Sequence, residues 1–225
     1  MKVVCVIPAW NEAPTAEGSA LPTVVKSIVD KVDSIVVVED GSIDQTFDVA
    51  RGLPVKLLRH AINRGQGATL KTGTQYALES GADIIVHFDA DGQFRAEDIA
   101  RVIEPIRNGE ADIVFGSRFL DDTTIMPVLK RRFIMPLARF VNRVFFNVRT
   151  SDPQSGFRAF SREAAQRVDW HQDRMAHCTE ILFAAHDSGM RIKEVPITVF
   201  YPDFGQGMGV GFKILRDMII AKLNS

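Results

Sequence analysis

Short apolar runs alternate along the chain with stretches of helical periodicity, and that alternation limits the possible folds more than any other feature. The runs are Val3 to Ile7, Ser34 to Val38, Val55 to Leu58, Ile84 to Phe88 and Ile113 to Phe115. Each is bounded by polar or glycine-containing turns, the pattern of strands buried on both faces of a parallel sheet. Between them the spacing predicts helices at Leu21–Asp30, Gln45–Arg51, Gly67–Glu79 and Ala96–Arg107. Such alternation builds right-handed βαβ units, hence an α/β, doubly wound, mostly parallel sheet. With 225 residues, 46% of them hydrophobic, the expectation is a single domain with one well-buried core.

In a sheet of that kind, ligands sit in the crevice beyond the carboxyl ends of the strands. The chain places its chemistry there. Asn11 and Glu12 follow the first run, Glu39 and Asp40 the second, Asp89 and Asp91 the fourth, and Arg118 the fifth. The sharpest signal is FDADGQ at 88–93. Two carboxylates spaced i, i+2 at a strand end, with a turn at Gly92, can converge on one hard cation, Mg2+ or Mn2+. There it would bridge the phosphates of a nucleotide diphosphate and act as Lewis acid for the leaving group.

Three further segments support that reading. VVVEDGS at 36–42 ends a strand in Glu39 and Asp40, acids able to accept from a nucleobase edge or ribose hydroxyls, with Ser42 and Asp44 as helix caps. IPAWNE at 7–12 sets a proline and Glu12 beyond the first strand, where a ribose would lie. NRGQGATLKTG at 63–73 opens a helix with glycines and carries Lys71 one turn inside, an arrangement suited to phosphate.

The second half differs in character. From Thr123 to Ser151 there is no acidic residue but six basic ones, Lys130, Arg131, Arg132, Arg139, Arg143 and Arg149. Their apolar neighbours are spaced for one helix face, so 126–149 reads as a basic apolar helix suited to anionic headgroups or, equally, one packed on the core with its arginines snorkelling outward. Strands are expected at Arg191–Val195 and Thr198–Tyr201, then a glycine-rich stretch and a closing apolar helix at 211–223. The 27 basic and 28 acidic residues nearly cancel, so no global field argues for nucleic acid. Cys5 and Cys178 form neither a disulfide framework nor a ligand spacing, and are expected to be buried, inert thiols in a reducing cytoplasm. No apolar run approaches the roughly 20 residues that span a bilayer, which leaves peripheral attachment to the cytoplasmic face or a membrane-protein partner.

IPAWNE, VEDGS, NRGQGATLKTG, FDADGQF, FGSRF and DPQSGFRAF, in that order over residues 3 to 200, resemble the family 2 inverting glycosyltransferases. The resemblance is strongest to the dolichyl-phosphate mannose synthase and polyprenyl-phosphate glycosyltransferase subgroup. It implies a GT-A fold, a nucleotide-diphosphate-sugar donor and a divalent metal. It also implies donor contacts from Pro8, Ala9, Glu12, Glu39, Asp40, Lys71, Asp89 and Ala90, and metal contacts from Asp89, Asp91 and Gln93. On this view 1–118 is the donor half and 119–225 the acceptor half. YPDFGQGMGVGFK departs from the subgroup, which carries an arginine and a Gly-x-Ser-Lys cluster there.

Inversion with a hydroxyl acceptor calls for a base, for which Asp152 and Glu180 are the candidates. A polyprenyl phosphate acceptor is already anionic and needs none. Arg118 with Arg131, Arg132 and Ser155 would then hold its phosphate. The rival readings are a transferase acting on a saccharide or other hydroxyl, a haloacid-dehalogenase-like phosphatase built on the DxDG of FDADGQF, and a non-catalytic nucleotide-binding subunit. Against the phosphatase, its motif normally follows the first strand, and here it follows the fourth.

Overall fold

A computed structural model describes residues 1–13, 20–120 and 150–200. Its strands are β1 (Val3–Ala9), β2 (Ser34–Glu39), β3 (Lys56–Arg59), β4 (Ile84–His87), β5 (Ile113–Ser117), β6 (Arg158–Ser161) and β7 (Ile192–Pro196). They form one sheet in the order β3-β2-β1-β4-β6-β5-β7. The helices are α1 (Ala20–Ile28), α2 (Thr46–Arg51), α3 (Gln66–Glu79), α4 (Asp98–Arg107), α5 (Arg162–Arg167) and α6 (His177–Asp187).

The expected doubly wound architecture is present. β2, β1 and β4 pair in parallel, as do β2 with β3 and β5 with β7. Alternate residues of β1 feed two separate cores. Val3, Cys5 and Ile7 pack with Leu21, Val25 and Ile28 of α1 and Ile99 and Val102 of α4. Val4 and Val6 pack on the other face with Leu70 and Ala77 of α3, Ala164 of α5 and Ile181 of α6. Burying both faces is why these strands read as unbroken apolar runs.

Two features differ from the sequence expectation. β6 was not foreseen; it runs antiparallel to both β4 and β5 and separates them. Thr198–Phe200 forms no ladder among the described residues, Val199 making a single antiparallel bridge to Phe94, and Tyr201 lies outside them. The basic segment 126–149, the glycine-rich stretch and the helix expected at 211–223 lie outside the described residues.

The parallel register sets the site. Pro8 and Ala9 lie opposite Val38 and Glu39 at the C-terminal ends of β1 and β2. β4 ends beside β1 with His87 opposite Val6, so the 88–93 turn emerges on the same rim.

Candidate active site

Three carboxylates meet on this rim. Glu12 is held by its own backbone, whose N–H donates to the buried Thr46 Oγ1 at 2.7 Å. Asp91 follows β4 in a turn that Gly92 completes at φ 74°, a left-handed conformation that glycine adopts freely. The Gln93 N–H donates to Asp91 Oδ1 at 3.0 Å and fixes its direction. Asp89 is partly exposed, and its Oδ1 accepts from the Gln66 side-chain amide at 2.9 Å.

The electrostatics report crowding. Burial and then the charge of Asp91 push the Asp89 carboxyl up to about 7. Burial, Asp91 and Asp44 push Glu12 up to about 7 as well. Asp91 is raised too, by the protein packed around it. Carboxylates that repel one another at a strand-end crevice are hard oxygen donors of the kind a divalent cation takes. Among the described residues, no three His, Cys, Asp or Glu side chains close into a protein-only metal cage. An open arrangement of this kind fits Mg2+ or Mn2+, which keep waters or phosphate oxygens among their ligands.

The other expected donor residues are placed differently. Glu39 is fully buried, paired with Arg59 Nε at 2.9 Å and accepting from the Ser42 N–H. Asp40 accepts from His60 Nδ1 at 2.6 Å, the Arg64 N–H at 3.0 Å and the Gly65 N–H at 2.7 Å. Both carboxylates organise the loops around them. Lys71 turns to Asp169 Oδ1 at 2.5 Å and the Trp170 carbonyl at 3.0 Å, lining a hollow of about 330 Å³ on the outer side of α3. Neither Glu12, Asp89 nor Asp91 borders that hollow. Ala9 and Ala90 are buried beneath the rim.

On the acceptor side, Arg118 makes a fork to Asp152, Nε to Oδ2 and Nη2 to Oδ1, each at 2.6 Å. Glu194 holds the same segment by accepting from the Ser151 and Asp152 N–H groups. Ser155 is buried, with its hydroxyl 3.4 Å from the Phe157 carbonyl. Glu180, on α6, accepts the His171 and Gln172 N–H groups at 2.9 and 2.7 Å. Arg131 and Arg132 lie outside the described residues.

Sequence reasoning missed Gln66, whose side-chain amide donates to Asp89. It also missed a polar cluster beneath the rim. Arg158 is wholly buried and donates to Cys178 Sγ at 3.1 Å, beside the buried His177. Cys178 is buried as expected, but it is not an ordinary thiol: against burial, the Arg158 and His177 charges pull it down to about 6. The signal was an arginine set among the apolar residues of GFRAF.

A mixed sheet of mostly parallel strands whose carboxyl ends deliver a D-x-D turn to one crevice is the scaffold of a GT-A glycosyltransferase. The match to the Glycosyl transferase family 2 model spans residues 4–169, and the chain belongs to that family of transferases. It is 32% identical to the UDP-N-acetylglucosamine–dolichyl-phosphate N-acetylglucosaminyltransferase of Methanococcus voltae, over 98% of this chain and 96% of that one. It is 28% identical to the polyprenol monophosphomannose synthase of Mycolicibacterium smegmatis, over 96% and 84%. Among solved structures, the glucosyl-3-phosphoglycerate synthase of Mycobacterium tuberculosis in complex with Mn2+, UDP and glucosyl-3-phosphoglycerate superposes with a TM-score of 0.73 at 19% identity. That match covers 99% of this chain and 79% of that one. Family membership sets aside the phosphatase reading of the DxDG residues. Among the described residues no helix is long and apolar enough to cross a membrane.

Proposed function

We propose that this enzyme transfers a sugar from a nucleotide-diphosphate donor to a polyprenyl phosphate, at the crevice formed by Glu12, Asp89 and Asp91. The observation that carries the reading is the gathering of these carboxylates at the ends of β1 and β4, where the Asp91 charge acts on both Glu12 and Asp89. The names of the Methanococcus and Mycolicibacterium relatives, both transferases to lipid phosphates, support the acceptor class. The Mn2+ and UDP of the structural neighbour support the donor and metal class.

Asp89 and Asp91, with Gln93, would hold Mg2+ or Mn2+, which when bound supplies positive charge to the departing diphosphate. Gln66 and the Gln93 N–H keep the two carboxylates turned to the crevice. Glu12, anchored through Thr46, is set for the ribose of the donor. Asp40 acts on the donor indirectly, by ordering the 60–65 loop.

Asp152 presents the Arg118 guanidinium toward the acceptor phosphate, in concert with Arg131 and Arg132. Such an acceptor is anionic at neutral pH, so no side chain has to take a proton. On this reading Glu180 holds the 171–172 turn and is not the base. Residues 1–118 act as the donor half and 119–225 as the acceptor half of one domain. The enzyme works at the cytoplasmic face of the membrane, where its lipid acceptor is presented.

The test is transfer by the purified full chain. UDP-, GDP- and dTDP-sugars are supplied with Mn2+ and a polyprenyl phosphate in detergent, and the lipid product is read by mass spectrometry. A glycosylated lipid phosphate from one donor class is expected; transfer only to free saccharides would replace the acceptor assignment.

A further inference from the structure

The 169–173 segment, which comes from the second half of the chain, lies directly against the first turn of α3. Gly67 makes two hydrogen bonds with it: its N–H donates to the Asp173 carbonyl at 2.7 Å, and its own carbonyl accepts from Trp170 Nε1 at 2.9 Å. One turn further on, Lys71 Nζ reaches the Trp170 carbonyl at 3.0 Å and Asp169 Oδ1 at 2.5 Å. The approach leaves no room for side chains. A Cβ on Gly67 would lie 2.1 Å from the Gln172 carbonyl oxygen, and one on Gly65 would lie 2.4 Å from that of Asp173. The atoms in the way are backbone, so neither glycine can be replaced without moving the segment.

These two glycines flank Gln66. Gly65 is fixed from the donor side, where its N–H donates to the buried Asp40 Oδ2 at 2.7 Å, and Gly67 is fixed by Trp170 and Asp173. Between them the Gln66 main chain is held on both sides, and its side-chain amide donates to Asp89 Oδ1 at 2.9 Å. Trp170 braces the other partner of that bond as well. Its buried indole packs edge-on to the His87 ring, with centroids 6.0 Å apart, two residues before Asp89. One side chain from the second half thus touches the chain beside both ends of the Gln66–Asp89 hydrogen bond. Carboxylates that ligate a metal keep their orientation through such outer hydrogen bonds.

We propose that Trp170 and Gly67 are positioning residues for Asp89: the clamp they form fixes Gln66, and Gln66 holds the carboxylate toward the cation site. The proposal rests on the reading of Asp89 as a metal-binding acid and extends it, because it makes the 169–173 segment part of the donor site. It also gives Lys71 a place, as the latch of that segment on α3.

Melting of the metal-free full chain is measured for Gln66→Met, Asp89→Ala and the double variant. The two changes are expected to couple by about 3 °C or more, the shift that a hydrogen bond to a charged group gives in a chain of this length. The same cycle is then run in Gly67→Ala. Alanine in a helix normally stabilises relative to glycine, so a fall in melting temperature on this change alone marks the displaced segment. In that background the coupling is expected to drop below about 1 °C. Coupling absent from the wild type, or unchanged in Gly67→Ala, would overturn the proposal. Should Gly67→Ala fail to fold, Trp170→Phe, which removes the Nε1 donor and keeps an aromatic ring, takes its place.

A second measurement reads position apart from stability. Mn2+ binding with UDP, and in a parallel series with GDP, is followed by electron paramagnetic resonance. Trp170→Phe and Gln66→Met are each expected to lose about tenfold in Mn2+ affinity, and the double variant no more than the larger single loss, because both act through one hydrogen bond. Wild-type affinity in either single variant, or losses that multiply in the double, would overturn the proposal. If wild-type protein binds no Mn2+ with either nucleotide, the metal reading fails, and the metal-free cycle still decides whether the clamp positions Asp89.

Discussion

Arg118 and Asp152 are locked in a two-pronged pair, with Nε–Oδ2 and Nη2–Oδ1 distances of 2.6 Å, and the Asp152 side of it is almost wholly buried. The Arg118 backbone N–H reaches the same carboxylate at 3.2 Å, so β5's end and the 150–152 segment are tied at one point. Removing one partner of a buried pair leaves the other charge unbalanced. Asp152→Ala is therefore expected to lower stability by about 3 kcal/mol, read as a drop in melting temperature. A change within about 0.5 kcal/mol would show that the pair does not hold these segments together.

Asp91 lies open at the rim, where its carboxylate accepts from the Gln93 N–H. Asp91→Ala is expected to leave the melting temperature of the ligand-free protein nearly unchanged. Transfer should fall by about a hundredfold or more, the order lost when a group stabilising transition-state charge is removed. The extra melting stability conferred by Mn2+ with the donor nucleotide should vanish in the same variant.

Glu12 and Asp89 both titrate near 7 in the folded protein, well above carboxyls of an unfolded chain. A raised folded-state value means the native protein binds the extra protons, so this contribution to stability is complete below about pH 4. It is lost as pH rises from about 4 through 7. Metal binding needs the deprotonated carboxylates and follows the opposite trend. Melting of the metal-free protein should thus decline between pH 5 and 8, while the increment from Mn2+ grows over the same interval. A metal increment that is flat with pH would contradict the assignment of these acids to the cation.

Glu180→Gln separates a base from a brace. A lost general base costs about a hundredfold or more in rate. A lost brace, here two N–H groups accepted by one carboxylate oxygen, costs stability of about 1–3 kcal/mol and little activity. Steady-state transfer to polyprenyl phosphate is expected to stay within about threefold of wild type.

The parallel strands were legible because burial on both faces forces unbroken apolar runs, and Val3 to Ile7 occupies β1 as read. β6 was not, because it opens on Arg158 and holds only Ala159 and Phe160 as apolar residues, and antiparallel insertion leaves no mark on a buried strand's composition. Asp89 and Asp91 were legible through their spacing around a turn. What Glu39 and Asp40 touch was not: the partners of Asp40 lie 20 to 25 residues away, at His60, Arg64 and Gly65, and only the folded loop brings them in. Lys71 likewise sits one turn into α3 as expected, but the 169–170 loop that captures it arrives from about a hundred residues downstream.

The central claim is that Asp89 and Asp91 hold a divalent cation against a donor diphosphate. Anomalous diffraction at the manganese edge, from crystals grown with Mn2+ and the nucleotide that stabilises the protein, tests it most directly. A single strong peak between the Asp89 and Asp91 carboxylates and the diphosphate is predicted; bound nucleotide with manganese absent from that position would contradict it.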